Sequence, residues 1–188
     1  LTFDDGPSKK YTPQVLDTLL AHDVQATFFI NGDPASAAPD VLARMVADGH
    51  ELGNHAYWHD RLVLIRPSTV RDHLFYTDQV IRAAGHQGPI HFRPPYGAKW
   101  LSLPWVLSRQ DRLTVTWDVA PEAPDRAMAA DIAAFAVDQA RPGSIIVLHP
   151  NWSGNDQTRA ALPAIIDGLR AKGLEPVTLA RLLEMRLR

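Results

Sequence analysis

Two adjacent carboxylates lie at the start of this chain. Leu1-Thr2-Phe3 has the character of a strand, Asp4 and Asp5 follow directly, and Gly6-Pro7 then enforces a turn. Side chains alternate along a strand, but at its end the geometry relaxes, so both carboxylates can reach one site from different angles. Packed this closely, they repel unless a cation or a proton separates them. His55-Ala56-Tyr57-Trp58-His59 places two imidazoles at i and i+4, a spacing that brings both to one side of a helical turn. With one carboxylate they make a two-His, one-carboxylate set, suited to zinc or another divalent metal, with coordination positions left open. Arg93-Pro94-Pro95-Tyr96-Gly97 is a rigid segment in which proline fixes φ and glycine permits an unusual turn. Such a segment can aim a backbone N–H at a substrate oxygen and hold a guanidinium against a carboxylate. His149 ends an apolar run with no acid beside it in sequence, and is either a satisfied core histidine or a general acid. The other histidines, His22, His50, His73, His86 and His91, lack comparable partners and read as structural or exposed.

These groups need elements to position them. Strand-like runs are expected at residues 1–3, Ala26–Ile30, Glu51–Gly53, Ile90–Phe92, Leu113–Trp117, Ser144–Leu148 and Glu175–Thr178. Helices are expected between them: one capped by Thr12 with Pro13 at its first position, one over Pro39–Ala47 ending at Gly49, and one capped by Ser68 and closed by Gly85. Further helices are expected over Leu103–Ser108, from Asp125 to Ala140, over Thr158–Ala171 and at the C-terminus. Strand and helix alternate about seven times with near-continuously apolar strands, a pattern of a parallel sheet covered by helices. A barrel and a doubly wound sheet both fit this alternation. No Gly-x-Gly-x-x-Gly follows the first strand, which argues against dinucleotide binding. Asp4-Asp5, His55, Arg93, Asp118 and His149 all fall just past a strand's C-terminal end, where parallel barrels build active sites.

Composition sets the outer bounds. The 188 residues suit a single domain spanning 1–188, with a core that needs no staples. With 46% hydrophobic and 21% charged residues, the chain has the make-up of an ordinary globular protein. A net charge of -2 gives no electrostatic reason for a nucleic-acid partner or an anionic membrane surface, and no obligatory protein partner is evident. The absence of cysteine removes disulfides, thiolate metal sites and a cysteine nucleophile. No apolar run reaches membrane-spanning length and no signal-peptide pattern is seen in the chain. Because the numbering opens inside a strand, additional sequence is expected upstream, where an export signal or anchor could lie.

Taken in order, these stretches resemble the polysaccharide deacetylase family, the carbohydrate esterases with a NodB-type domain (carbohydrate esterase family 4). Thr2-Phe3-Asp4-Asp5-Gly6-Pro7 matches the first motif of that family. His55-Ala56-Tyr57-Trp58-His59 resembles the second, although Ser or Thr usually stands where this chain has Ala56. Arg93-Pro94-Pro95-Tyr96-Gly97 is similar to the third, and Leu148-His149 to the fifth. The resemblance implies a distorted (β/α) barrel of about seven parallel strands and metal-dependent removal of N-acetyl groups from GlcNAc-containing glycans such as chitooligosaccharide or peptidoglycan. It implies Asp5, His55 and His59 as metal ligands for zinc, with cobalt, nickel or manganese as other divalent candidates. Asp4 would be the general base and Arg93 its orienting partner, while the Tyr96 backbone N–H would bind the oxyanion. His149 would be the general acid, and Leu148 with Trp117 would line a pocket for the acetyl methyl. The substrate would be an acetylated polysaccharide or oligosaccharide. An extracytoplasmic protein (secreted, periplasmic or anchored) is implied in the same way.

The fourth motif departs from the family pattern. The family commonly has Asp-x-x-Asp-Trp here, including an acid that pairs with the catalytic histidine, whereas this chain reads Ala120-Pro121-Glu122-Ala123-Pro124. Glu122 is the expected substitute, with Asp118 and Asp125 as the other candidates. Two further functions stand beside N-deacetylation: an O-acetyl esterase on xylan or another acetylated polymer, and a carbohydrate-binding domain with weak or lost turnover. Trp58, Trp100 and Trp152 are candidate sugar-stacking platforms, because aromatic faces suit pyranose rings.

Overall fold

The computed structural model describes residues 1–98, 102–110, 112–123 and 128–186. Its regular strands are β1 (Thr2–Asp4), β2 (Thr27–Ile30), β3 (Glu51–Asn54) and β4 (Val147–Leu148). They form one parallel sheet in the order β3-β2-β1-β4, with Phe3 opposite both Phe28 and Leu148. Isolated parallel bridges continue it: Asn54 to Phe92, Phe92 to Thr114, and Val119 to Ile146. Thr114 and Val119 lie on one stretch that touches both edges of the sheet, so the sheet closes on itself. The result is the expected α/β barrel, distorted because one side is held by single bridges.

The expected strands that did not become ladders differ in what replaces them. The β-prone run Leu113–Trp117 contributes a bridge, with Phe92 N–H donating to Leu113 O and Val115 N–H to Phe92 O. Beyond Phe92 its partner continues into Pro94-Pro95, which has no N–H to offer. Glu175–Thr178 forms no strand at all. Instead, the helix after it, α8 (Leu179–Arg186), donates Leu179 N–H to Thr27 Oγ1 and Ala180 N–H to Glu51 Oε2 beneath the N-terminal ends of β2 and β3.

The remaining helices are α1 (Thr12–Ala21), α2 (Gly32–Ser36), α3 (Pro39–Ala47), α4 (Pro67–Ala83), α5 (Ser102–Ser108), α6 (Ala129–Gln139) and α7 (Asp156–Ala171). Tyr11 and Arg66, not Thr12 and Ser68, occupy the N-cap positions of α1 and α4. Thr12 is employed elsewhere, accepting from Ser8 N–H and donating to Asn151 Oδ1 at 2.6 Å. Helix α2 has no counterpart among the sequence expectations. It positions the histidine loop, since Gly32 N–H donates to Ala56 O and Asp33 N–H to Tyr57 O.

Period-2 alternation divides the sheet into two faces. Phe3, Phe28, Leu52 and Leu148 join Leu16, Leu42 and Ile165 from the helices in the main core. Burying each such side chain contributes about 1.5–3 kcal/mol. The opposite face looks into the barrel, where Phe29, Val115 and Leu179 make a small separate cluster. Arg93 is fully buried there, its guanidinium 4.1 Å from the centre of the Phe29 ring.

Candidate metal centre and active-site cleft

At the C-terminal end of the barrel lies a cleft of about 700 Å³, lined by Asp4, Asp5, His55, His59, Tyr96, Trp117, Glu122, His149 and Trp152 among others. The ends of β1, β3 and β4 and the bridged stretches at Phe92 and at 114–119 supply these residues.

One wall comes from the ends of β1 and β3. Asp5 takes the left-handed conformation at φ 64°, Ala56 between the two histidines at φ 68°, and Tyr96 at φ 58°. Non-glycine residues pay about 1–3 kcal/mol for sparsely populated backbone regions, and such positions cluster at functional sites. Here all three redirect the chain where a strand end enters the cleft. Asp5 Oδ1 lies 3.5 Å from His55 Nε2 and 3.2 Å from His59 Nε2. His55 Nδ1 is engaged with Arg93 O at 2.8 Å, which leaves Nε2 as the nitrogen facing Asp5. The His55 ring is buried, and burial lowers its pKa, favouring the neutral imidazole that a metal requires. Asn54 holds the left-handed turn by accepting from Ala56 N–H at 2.9 Å. His73 accepts from Tyr57 N–H at 3.3 Å, a structural role in keeping with its reading from sequence.

Whether a cation fits here can be judged from the donors themselves. Asp5 Oδ1 is buried without a hydrogen-bond partner, a costly state for a carboxylate oxygen unless a cation satisfies it. One ligand atom from each of Asp5, His55 and His59 lies within 4.8 Å of the others, and among the described residues they form the one such cluster. Two imidazoles and a carboxylate suit zinc and other divalent ions while leaving positions open for a substrate. The donor set fits a divalent metal.

Asp4 faces a different partner. Its Oδ1 accepts from Arg93 Nη1 at 2.5 Å, and its Oδ2 lies 3.9 Å from His55 Nε2. The same Arg93 nitrogen donates to Thr2 Oγ1 at 2.8 Å. Burial lowers the Arg93 pKa, opposed by the Asp4 charge beside it. The two adjacent carboxylates are thus divided between a guanidinium and an imidazole pair. Beyond Arg93, Tyr96 sits in a single 3₁₀ turn, Pro95–Gly97, and its backbone N–H has no acceptor among the described residues. Its exposed ring packs 4.7 Å from the His59 ring.

The opposite wall is made by His149, just past β4, and by Glu122. Glu122 Oε2 lies 2.5 Å from His149 Nδ1, and both Glu122 oxygens accept from His149 N–H, at 3.0 and 3.1 Å. Thr158 of α7 donates to Glu122 Oε1 at 2.6 Å. Burial works against the charged form of His149, but the Glu122 hydrogen bond and charge, with Asp4 and Asp5 behind, raise its pKa overall. Glu122 is shifted downward: burial opposes this, and the contacts with His149 and Thr158 prevail. The direct Glu122–His149 contact has the geometry expected of a substitute for the missing fourth-motif acids. Asp118 instead accepts from Ser144 Oγ and Ile145 N–H, and Asp125 lies outside the described residues.

Trp117 lines the cleft, half-buried beside Gly97. Leu148 differs from its expected place. It is fully buried in the main core and does not line the cleft, because alternation along β4 turns it away from the face that His149 adopts. Of the three tryptophans, Trp152 lines the cleft and Trp58 packs against Tyr57 and His73 outside it, while Trp100 lies outside the described residues.

Two contributions were not read from the sequence, the role of Asn151 and the indole hydrogen bond of Trp152. Asn151 donates to the backbone oxygens of both Asp4 and Asp5, at 3.2 and 2.8 Å. It packs so closely on Gly6 that a Cβ there would fall 2.8 Å from the Asn151 side chain, which with φ +80° reserves that position for glycine. Trp152, read only as a stacking ring, donates its indole N–H to Asp5 Oδ2 at 2.8 Å. The only available signal was their position, two and three residues beyond His149.

A family model described as Polysaccharide deacetylase matches residues 1–123. A chitooligosaccharide deacetylase of Bradyrhizobium sp. (strain ANU 289) is 35% identical over 187 residues, covering 93% of this chain and 85% of the relative. A peptidoglycan-N-acetylglucosamine deacetylase of Bacillus cereus is 35% identical over 181 residues, covering 95% of this chain and 66% of the relative, so the chain spans just under two thirds of that protein. Among solved structures, the Xyl-CE4 domain of a multidomain xylanase from the hindgut metagenome of Trinervitermes trinervoides has a TM-score of 0.89 at 32% identity, covering 98% of this chain and 88% of the other.

Proposed function

The chain belongs to the polysaccharide deacetylase family, and on that premise we propose that it hydrolyses N-acetyl groups of a GlcNAc-containing glycan, with zinc held by Asp5, His55 and His59. The observation that carries this reading is the division of labour across one cleft: an unpartnered buried Asp5 Oδ1 between two imidazoles on one wall, and a carboxylate-backed His149 on the other.

Held by Asp5, His55 and His59, a divalent cation would supply electrophilic polarisation of the acyl carbonyl. The protein supplies the proton transfers. Asp4, held in place by the Arg93 guanidinium, takes a proton from the attacking water, and the water oxygen bonds to the acetyl carbon. The Tyr96 backbone N–H faces the developing oxyanion, where one oriented donor lowers the barrier by about 3–4 kcal/mol. Glu122 holds His149 Nδ1 and so leaves Nε2 to deliver a proton to the departing amine as the carbon–nitrogen bond breaks. The products are acetate and a free amine. Trp117 contributes apolar surface beside the acetyl methyl.

O-deacetylation uses the same machine with an alkoxide as leaving group, and the similarity to a domain of a xylanase gives that reading its support. Acetate release from chitooligosaccharides, peptidoglycan and acetylxylan, with and without chelator, separates the two. The proposal predicts chelator-sensitive release from the N-acetylated substrates. Release from acetylxylan alone would replace it with the esterase reading, and glycan binding without release from any substrate would favour a binding domain.

A further inference from the structure

The two oxygens of Asp5 are treated differently. Oδ1 faces His55 and His59 and has no hydrogen-bond partner, while Oδ2 accepts from Trp152 Nε1 at 2.8 Å. Trp152 stands on a turn pinned from three sides. Its carbonyl accepts from Arg159 Nη1 at 2.8 Å and from Asn155 N–H at 3.2 Å. The preceding Asn151 is tied to the backbone of Asp4 and Asp5 on one side and to Thr12 on the other. Trp152 is 56% exposed, so burial does not account for its placement. Its one polar group is spent on the carboxylate.

We infer that Trp152 is a positioning residue for the metal ligand Asp5: its indole N–H occupies Oδ2 and thereby presents Oδ1 to the cation as a single-oxygen donor. The inference rests on the metal reading above. A carboxylate free to rotate would exchange its two oxygens and sample two-oxygen contact, whereas a fixed donor on one oxygen selects a single arrangement. Hydrogen-bond partners of metal ligands typically contribute 10–100-fold to metal affinity.

The test is zinc affinity of chelator-treated protein by calorimetric titration for the wild type, Trp152→Phe and Trp105→Phe. Phenylalanine keeps an aromatic ring and removes the N–H. Trp105, on α5 with its ring stacked on Arg109, controls for loss of an exposed tryptophan. The expected result is roughly 10–100-fold weaker zinc binding for Trp152→Phe, with Trp105→Phe unchanged and the unfolding midpoint of metal-free Trp152→Phe close to that of the wild type. Equal zinc affinity in Trp152→Phe and the wild type would overturn the inference and leave the metal reading intact. A wild type that binds no zinc would overturn both. Should Trp152→Phe fold poorly, the indole N–H resonance of Trp152 in the wild type decides: a shift on zinc binding with slow solvent exchange supports the tether, and a solvent-like, zinc-insensitive resonance refutes it.

Discussion

On the wall formed by the ends of β1 and β3, a buried carboxylate oxygen sits 3.2 and 3.5 Å from two imidazole nitrogens with no hydrogen bond of its own. On the wall formed by β4, both Glu122 oxygens are taken, by His149 and by Thr158. The first arrangement is incomplete as protein chemistry and becomes complete when a cation is added. The second is complete already, and on the proposed reading it serves proton transfer. On that reading, the contrast shows how one cleft can divide its work: electrophilic activation where donors converge unsatisfied, and acid catalysis where a charge is fully compensated. At the end of β1, Arg93 pairs with Asp4 and leaves Asp5 facing the imidazoles.

The sharpest way to break this contrast is to remove a donor from the unsatisfied wall. His55→Ala should lose metal and activity together, and elemental analysis showing full metal content in that variant would refute the ligand assignment. A smaller effect is expected where charge is removed without loss of the cation. Asp4→Asn should retain metal while turnover falls roughly 10²–10⁴-fold, the usual worth of a positioned base. Near wild-type acetate release from that variant would make Asp4 a bystander.

The satisfied wall should respond in pH dependence more than in metal content. The Glu122 hydrogen bond and charge raise the His149 pKa against the opposing effect of burial, so the protonated form persists to higher pH than it would without Glu122. Glu122→Gln removes the charge, the His149 pKa falls, and the alkaline limb of the pH–rate profile should move to lower pH with metal content unchanged. A profile that stays in place would detach Glu122 from the proton transfer and leave His149 acting unassisted.

How far the sequence disclosed this molecule follows from which forces are local. β1, the apolar run of β2 and the Pro39–Ala47 helix were legible because burial and periodicity act on neighbouring residues, whereas Glu51-Leu52-Gly53 was too short to read as a strand from propensity. Thr12 misled as a cap because its hydroxyl is bound to Asn151, a residue far along the chain. The backbones of Asp5, Ala56 and Tyr96 could not be foreseen, since a non-glycine residue at positive φ leaves no compositional trace. Glu122 was legible by its register just past a strand aimed at the cleft, and its longer side chain does reach His149. Leu148 was misplaced because resemblance supplied a role that the alternation on β4 contradicts. Trp152 was half read: its face was weighed for sugar and its N–H overlooked.

The most direct test of the account is a zinc titration of chelator-stripped protein with acetate release from a chitooligosaccharide followed at every point. The account predicts no release before zinc is added, a linear rise, and a plateau at a single equivalent of zinc per chain. Full acetate release from the stripped protein would contradict it, because the unsatisfied wall would then have no part in the chemistry.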